Sequence, residues 1–280
     1  MKNFMDEYSV SRETFARLKA YEKSLHEWQK RFNLVSNASL EHAWERHFLD
    51  SAQLFKLIPD GARTLVDFGS GAGFPGMVLA IMAAEKTPYL NFCLVESIGK
   101  KTLYLNEVKK IAGLNNVEIV NDRIENIETM AADVITSRAM CSLKELLKYA
   151  RKFAGPQTVG IFPKGKKYSE EISEARKEWS FDCRIVPSEV SEEGVVLVIT
   201  KIKKLLAQID YDDYDRLIQL CDLLVVGMGF SKIKDRMIFV KDKYRVPTMV
   251  IKRRYRQALR LKNYFDRRCG CDIYRLLGVN

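Results

Sequence analysis

Twelve consecutive residues, Leu65-Val66-Asp67-Phe68-Gly69-Ser70-Gly71-Ala72-Gly73-Phe74-Pro75-Gly76, set three alternate glycines just behind an acid. Without Cβ atoms the backbone can turn tightly and approach a ligand closely. A dinucleotide fingerprint needs its third glycine at position 74, where this chain has Phe74. The G-x-G-x-G form with a leading acid suits S-adenosylmethionine, which has no pyrophosphate to cradle. Asp67, Gly69, Gly71, Gly73 and Phe74 are therefore candidate cofactor residues. A glycine-rich turn without a ligand is the plainer alternative.

Glu96 follows Gly73 by 23 residues and ends the next β run. A carboxylate at that place can accept from both ribose hydroxyls of a bound adenosine. Asp122-Arg123-Ile124-Glu125 follows the third run, where an adenine ring would lie, and Ile124 suits packing on it. An ordinary loop is the alternative there. Ser137-Arg138-Ala139 ends the fourth run. Ligands of open α/β sheets bind outside the carboxyl ends of the strands. Arg138 is thus expected near the methyl donor or the acceptor base, with a structural ion pair as the alternative.

The acceptor is narrowed by what the chain holds. Amino-group methyltransferases of adenine and cytosine carry an N/D-P-P-F/Y/W loop after the fourth strand; Ser137-Arg138-Ala139-Met140 stands there instead. Cytosine-C5 enzymes need a cysteine nucleophile, usually after proline, and the chain has no Pro-Cys pair. Its three histidines, His26, His42 and His47, all precede the sheet. An acceptor with a free lone pair, such as guanine N7, needs no general base; alignment and electrostatics suffice.

Strand–helix alternation must position these residues. β runs are expected at Thr64–Phe68, Asn91–Glu96, Val117–Asn121, Asp133–Ser137, Thr158–Phe162, Cys183–Val186 and Val195–Thr200. Helical stretches are expected at about 77–84, 100–112, 141–154 and 168–179. The order predicts a Rossmann-like α/β fold, a seven-stranded, mostly parallel sheet covered on both faces. Only Pro187 to Gly194 separates the last two runs, which suits a hairpin and one antiparallel strand. Ahead of the sheet, Phe15, Leu18, Leu25, Trp28 and Phe32 share one helical face, with Ser9 or Ser11 as cap. Trp44, Phe48, Phe55 and Ile58 mark a second helix. The expected organisation is a helical extension over 1–60, a cofactor-binding domain over 61–204, and an extra segment over 205–280.

That last segment is basic. Residues 207–280 hold 16 Lys/Arg against 9 Asp/Glu, most of the chain's net charge of +10. Such a balance favours polyanion partners. A helical run is expected at 211–226, glycine punctuation at 227–229, and a long basic helix after Pro247. In that helix Lys252, Arg253, Arg254, Arg256, Arg260 and Lys262 stand against apolar Ile251, Tyr255, Ala258, Leu259 and Phe265. No apolar run of about 18 residues suggests a membrane span, and Met1 to Val10 lacks a signal stretch, so a cytosolic protein is expected. The six cysteines lack zinc-ligand spacing and read as reduced thiols, with no metal site expected.

Together these strings resemble a known family. Arg31-Phe32-Asn33-Leu34-Val35, His47-Phe48-Leu49-Asp50-Ser51, the Asp67–Gly76 string, Leu94-Val95-Glu96-Ser97 with Lys100-Lys101, Ser137-Arg138-Ala139 and Phe162-Pro163-Lys164-Gly165 resemble RsmG, also called GidB, the bacterial small-subunit rRNA guanine-N7 methyltransferases. The resemblance covers about residues 10–204. It implies a class I methyltransferase fold and methyl transfer from S-adenosylmethionine to one guanine of 16S rRNA near the decoding centre. The small ribosomal subunit is the implied partner of a monomeric enzyme. Gly69, Phe74, Ile124, Glu125 and Arg138 would contact the cofactor, with Glu96 on the ribose. Lys164, Arg123 and Arg138 would meet the rRNA. His47 and Asp50 read as a structural hydrogen-bonded pair. A methyltransferase of small molecules, or a non-catalytic RNA-binding protein, is the alternative. The final segment departs from the family; Tyr214–Asp222 weakly resembles the end of an HD-type phosphohydrolase, yet the segment has no histidine to ligate that enzyme's metal.

Overall fold

The computed structural model describes residues 2–128, 130–205, 220, 225–226, 229–230, 232–245 and 248–276. It divides into two compact units, Met1–Leu205 and Leu206–Asn280.

In the first unit, α1 (Lys2–Tyr8) and α2 (Arg12–Gln29) precede the sheet. Ser11, not Ser9, caps α2: its hydroxyl accepts from Thr14 N at 3.1 Å. Leu18, Tyr21 and Leu25 form the fully buried face of α2. The helix expected through Trp44 and Ile58 is unbroken to Leu57 but changes its winding twice. A wide π turn spans Trp44–Leu49, one α turn spans Asp50–Ala52, and a 3-10 turn spans Gln53–Leu57. Ile58 is already extended because Pro59 follows it.

The strands are β1 (Thr64–Phe68), β2 (Asn91–Val95), β3 (Val117–Val120), β4 (Ala132–Ser137), β5 (Ala154–Lys164), β6 (Trp179–Pro187) and β7 (Val195–Lys204). Their spatial order is β3-β2-β1-β4-β5-β7-β6. β7 inserts between β5 and β6 and is antiparallel to both, as the short loop after Pro187 requires. Helices α3 (Gly76–Lys86), α4 (Gly99–Ile111), α5 (Leu143–Phe153) and α6 (Tyr168–Ala175) link the strands. α6 stops short of the expected residue 179. Trp179 and Phe181 both turn inward, at 4% and 8% exposure, so period-two burial claims them for β6.

β1 shows how one strand serves two cores. Leu65 packs with α2, α3 and α4 on one face, while Val66 and Phe68 join α5 on the other. Asp67 sits on the Leu65 side, fully buried. The helices of residues 1–60 share this first core with the sheet.

In the second unit, Val225–Val226 pairs antiparallel with Gly229–Phe230, so the expected helix over 211–226 does not include its last two residues. Leu220 is helical and buried, and the other residues of 211–224 lie outside the described residues, as does the Tyr214–Asp222 resemblance apart from Leu220. Helices α7 (Ile233–Tyr244) and α8 (Thr248–Cys269) follow. Ile233, Met237, Ile251, Ala258 and Phe265 make the unit's own core. Lys262 departs from the expected cationic face: it is 9% exposed and bonded to Asp266 and Asp272. Among the described residues, no helix is long and apolar enough to cross a membrane.

Candidate functional site

The glycine loop leaves the carboxyl end of β1 and is fixed from beneath. Asp67 pairs in register with Thr136 of β4, and the Thr136 hydroxyl donates to Asp67 Oδ1 at 2.7 Å. Asp67 Oδ2 points at Gly76, where an added Cβ would lie 2.8 Å away, so only glycine admits the carboxylate. Burial pushes this carboxyl up to about 6, against the hydrogen bond from Thr136 and the charge of Arg138. Asp67 therefore shapes the loop and does not face the cavity above it. From the other side the Tyr21 hydroxyl of α2 donates to Ala72 O. Gly73, at φ +95°, lies where a Cβ would come within 2.5 Å of that hydroxyl.

Phe74 also turns inward. Its ring stacks on Tyr21 at 5.3 Å and on His47 at 4.8 Å, and it is 3% exposed. It carries the Arg138 guanidinium 5.1 Å above its centre. The ring does not line the cavity above the loop; it lies behind Arg138, which does.

Above the loop lies a cavity of about 350 Å³, walled by Gly69, Gly71, Glu96, Ile124, Glu125 and Arg138, with Lys101, Arg123, Met140 and Tyr149. Six of the expected cofactor residues thus meet in one place, and Asp67, Gly73 and Phe74 lie behind them. Glu96 is 5% exposed; it accepts from Gly71 N and from Ile98 N, each at 2.8 Å. One carboxylate oxygen goes to each amide, so acceptor capacity remains on both for ribose hydroxyls. Ile124 is buried, and Glu125 accepts from the Tyr149 hydroxyl at 3.0 Å. Of the three cations expected to meet rRNA, Arg123 lines this cavity, Lys164 the neighbouring one, and Arg138 both.

The neighbouring cavity, about 630 Å³, is walled by Arg46, Asp50, Cys141, Pro163, Lys164 and Glu171, among others. Arg138, Ala139 and Met140 belong to both walls. Ala139 holds φ +54°, a strained value for a residue with a side chain, at the point where the cavities meet. Arg138 is tightly held. It donates to Arg46 O at 2.9 Å, to Asp50 Oδ2 at 3.1 Å and to His47 Nδ1 at 2.8 Å. His47 and Asp50 are therefore not bonded to each other as expected; both grip Arg138, presented by the π turn and the α turn after it. A guanidinium only donates, so Nδ1 accepts and the neutral ring keeps its proton on Nε2, which is buried without a partner among the described residues. Burial, then the charges of Arg138 and Arg46, push the imidazole down to about 4. Lys164 is held too, donating to Glu171 Oε2 at 2.7 Å and to Cys141 O at 3.1 Å. It forms cavity wall more than a reaching phosphate contact.

The sequence pattern of a family described as rRNA small subunit methyltransferase G matches residues 14–195. The chain belongs to this family. Ribosomal RNA small subunit methyltransferase G of Rhodospirillum centenum is 41% identical over 200 residues, 71% of this chain and 90% of that protein. The Parvibaculum lavamentivorans protein of the same name is 44% identical over 193 residues, 68% and 84% of the two chains. A solved S-adenosylmethionine-dependent methyltransferase from Aquifex aeolicus aligns at TM-score 0.45 and 19% identity, over 56% of this chain and 92% of its own. The methyltransferase G match stops at residue 195, so the unit Leu206–Asn280 lies wholly beyond it.

Sequence reasoning missed several site residues. Tyr21 lies on the Leu18–Leu25 face and was detectable as a polar-tipped member of it. Thr136 is found only through the β1–β4 register. Tyr149 and Met140 carried no signal, since nothing in their spacing says that they face Glu125 and Gly69.

Proposed function

We propose that this chain transfers the methyl group of S-adenosylmethionine to N7 of a guanine in 16S rRNA near the decoding centre. The observation that carries the reading is the shared wall Arg138-Ala139-Met140: one cavity holds the glycine loop and Glu96, and the other opens beside it. The residues present fit the cofactor. Glu96 would hold the ribose hydroxyls, Ile124 would pack on adenine, and the backbone at Gly69 and Gly71 allows close approach. When bound, the cofactor supplies an electrophilic methyl on a sulfonium.

The acceptor cavity suits a base that needs no deprotonation. Its two carboxylates are committed to cations, Asp50 to Arg138 and Glu171 to Lys164. Burial raises the Cys141 thiol, which disfavours the thiolate a nucleophile needs. Arg138 and Lys164, each held by its carboxylate, then form the fixed polar wall against which the base is oriented, while Ala139 and Met140 set the approach to the donor. Rate comes from alignment and fixed charges. A small-molecule methyltransferase or a non-catalytic RNA binder has no comparable support from the relatives. Arg123, on the cofactor side, contributes charge at the outer rim.

Mapping N7-methylguanine in 16S rRNA from cells with and without the gene tests the reading. It expects one guanine to lose its methyl group; an unchanged map overturns it. Calorimetry adds the cofactor: S-adenosylmethionine binds, and binding of NAD alone overturns the assignment.

A further inference from the structure

α8 lies outside the family match and carries no acidic residue from Thr248 to Phe265. Its apolar side is spent on its own unit: Ile251, Ala258 and Phe265 are buried against Leu220, Ile233 and Met237. Lys262 joins that side, neutralised by Asp266 and Asp272. The remaining cations, Lys252, Arg253, Arg254, Arg256 and Arg260, are all exposed. At about 100° per residue, Lys252, Arg256 and Arg260 fall within a quarter turn of one another, and Arg253 lies beside them. None of these residues has an ion-pair partner among the described residues. At about 1.5 Å per residue this row runs roughly 12 Å along the helix, and exposed Arg267 extends it to about 22 Å.

A row of cations, unpaired among the described residues and with no acid between them in the sequence, is complementary to a row of phosphates. A membrane surface is the poorer fit. An interfacial helix presents apolar side chains for insertion, and here only Met249, in the first turn, is a large exposed apolar group of α8 among the described residues. We propose that the Lys252–Arg260 face of α8 binds the phosphate backbone of RNA, as a contact separate from the base-holding cavity and indifferent to sequence. The choice of RNA over another polyanion rests on the function proposed above. The surface adds affinity for the substrate and leaves the choice of guanine to the cavity beside Arg138.

The test uses the full chain. Lys252, Arg256 and Arg260 are replaced together by Gln, which keeps helix propensity and removes three charges. A control variant replaces exposed Lys23, Lys30 and Lys110 by Gln. Binding to deproteinised 16S rRNA and to polyuridylate is followed between 50 and 200 mM salt. Each lost phosphate contact reduces the log–log slope by about 0.7–0.9, so the α8 variant should be shallower by about two on both RNAs. The control should keep the parent slope. An unchanged slope in the α8 variant overturns the proposal, as does an equal drop in the control, which would be an effect of net charge alone. Selective loss of binding to phosphatidylserine vesicles, with RNA slopes intact, overturns it in favour of lipid. Melting curves confirm that both variants fold. Methylation of 16S rRNA by the parent is measured alongside: its absence defeats the functional reading, whereas its presence with an unchanged slope defeats only this one.

Discussion

His47 makes stability depend on acidity in a way that one substitution can isolate. Folding holds its imidazole down at about 4, from an ordinary value of about 6.5. Between those two pH values the unfolded chain binds a proton that the folded chain refuses. Stability therefore rises with pH through that window, is fully present above about 6.5, and is lost towards 4. A displacement of that size is worth roughly 3 kcal/mol at about 1.4 per tenfold, and solvent at the ring edge reduces it to about 2. His47→Gln removes the titration while leaving an amide oxygen that can accept from Arg138 in place of Nδ1. It also loses the stack on Phe74, but that loss is the same at every pH. Urea unfolding of parent and variant between pH 4 and 7 is the assay. The stability gap should widen in the parent's favour by about 2 kcal/mol as pH rises across the window. A constant gap would refute the argument, because it would mean that the buried ring is charged in the folded protein or titrates as it does in water.

Asp67 has the opposite sign. Its folded value of about 6 lies above its ordinary 3.8, so its charge costs the fold roughly 3 kcal/mol as pH climbs between the two. Asp67→Asn should gain on the parent over that interval, and a flat difference by the same unfolding assay would sink the account. Gly76→Ala would force a Cβ to 2.8 Å from Asp67 Oδ2, and a net loss of about 1–3 kcal/mol should show as a lower melting temperature; an unchanged melt would mean that the loop yields easily. Glu96→Ala should weaken S-adenosylmethionine binding by about 2–4 kcal/mol in calorimetry, through lost ribose bonds and freed amides at Gly71 and Ile98. Affinity within a factor of two of the parent would remove Glu96 from the ribose.

The sheet was readable because its strands are short apolar runs fenced by turns, and the glycine string because its spacing is chemical. Pairings between distant segments were not. Asp67 meets Thr136 only once β4 is placed beside β1, and Arg138 reaches Asp50 across 88 residues. The π turn was hidden because Trp44 and Phe48 are spaced four apart, as an α-helix would also have them. Trp179 closes an apparently helical stretch, and only its inward alternation with Phe181 marks it as strand. The pairing of Lys262 is legible: Asp266 stands four residues on, the spacing at which a helix brings opposite charges together. Lys164 and Glu171 meet around the turn into α6, where no periodicity helps.

The bond from Tyr21 to Ala72 spans 51 residues, and it bears on how such a protein can be cut and pasted. The sheet from residue 61 onward is not a cassette to be lifted into another chain. Without α2 the loop would lose the hydroxyl that fixes its Ala72 carbonyl and Phe74 would lose the ring of Tyr21, and without the π turn Phe74 would lose the rings of His47 and Phe48 as well. Chimaeras between relatives should accordingly take residues 12–76 from a single parent. Junctions inside that span should yield folded proteins with poor cofactor loops, and in natural variation a change at position 21 should be matched by one at 73 or 74.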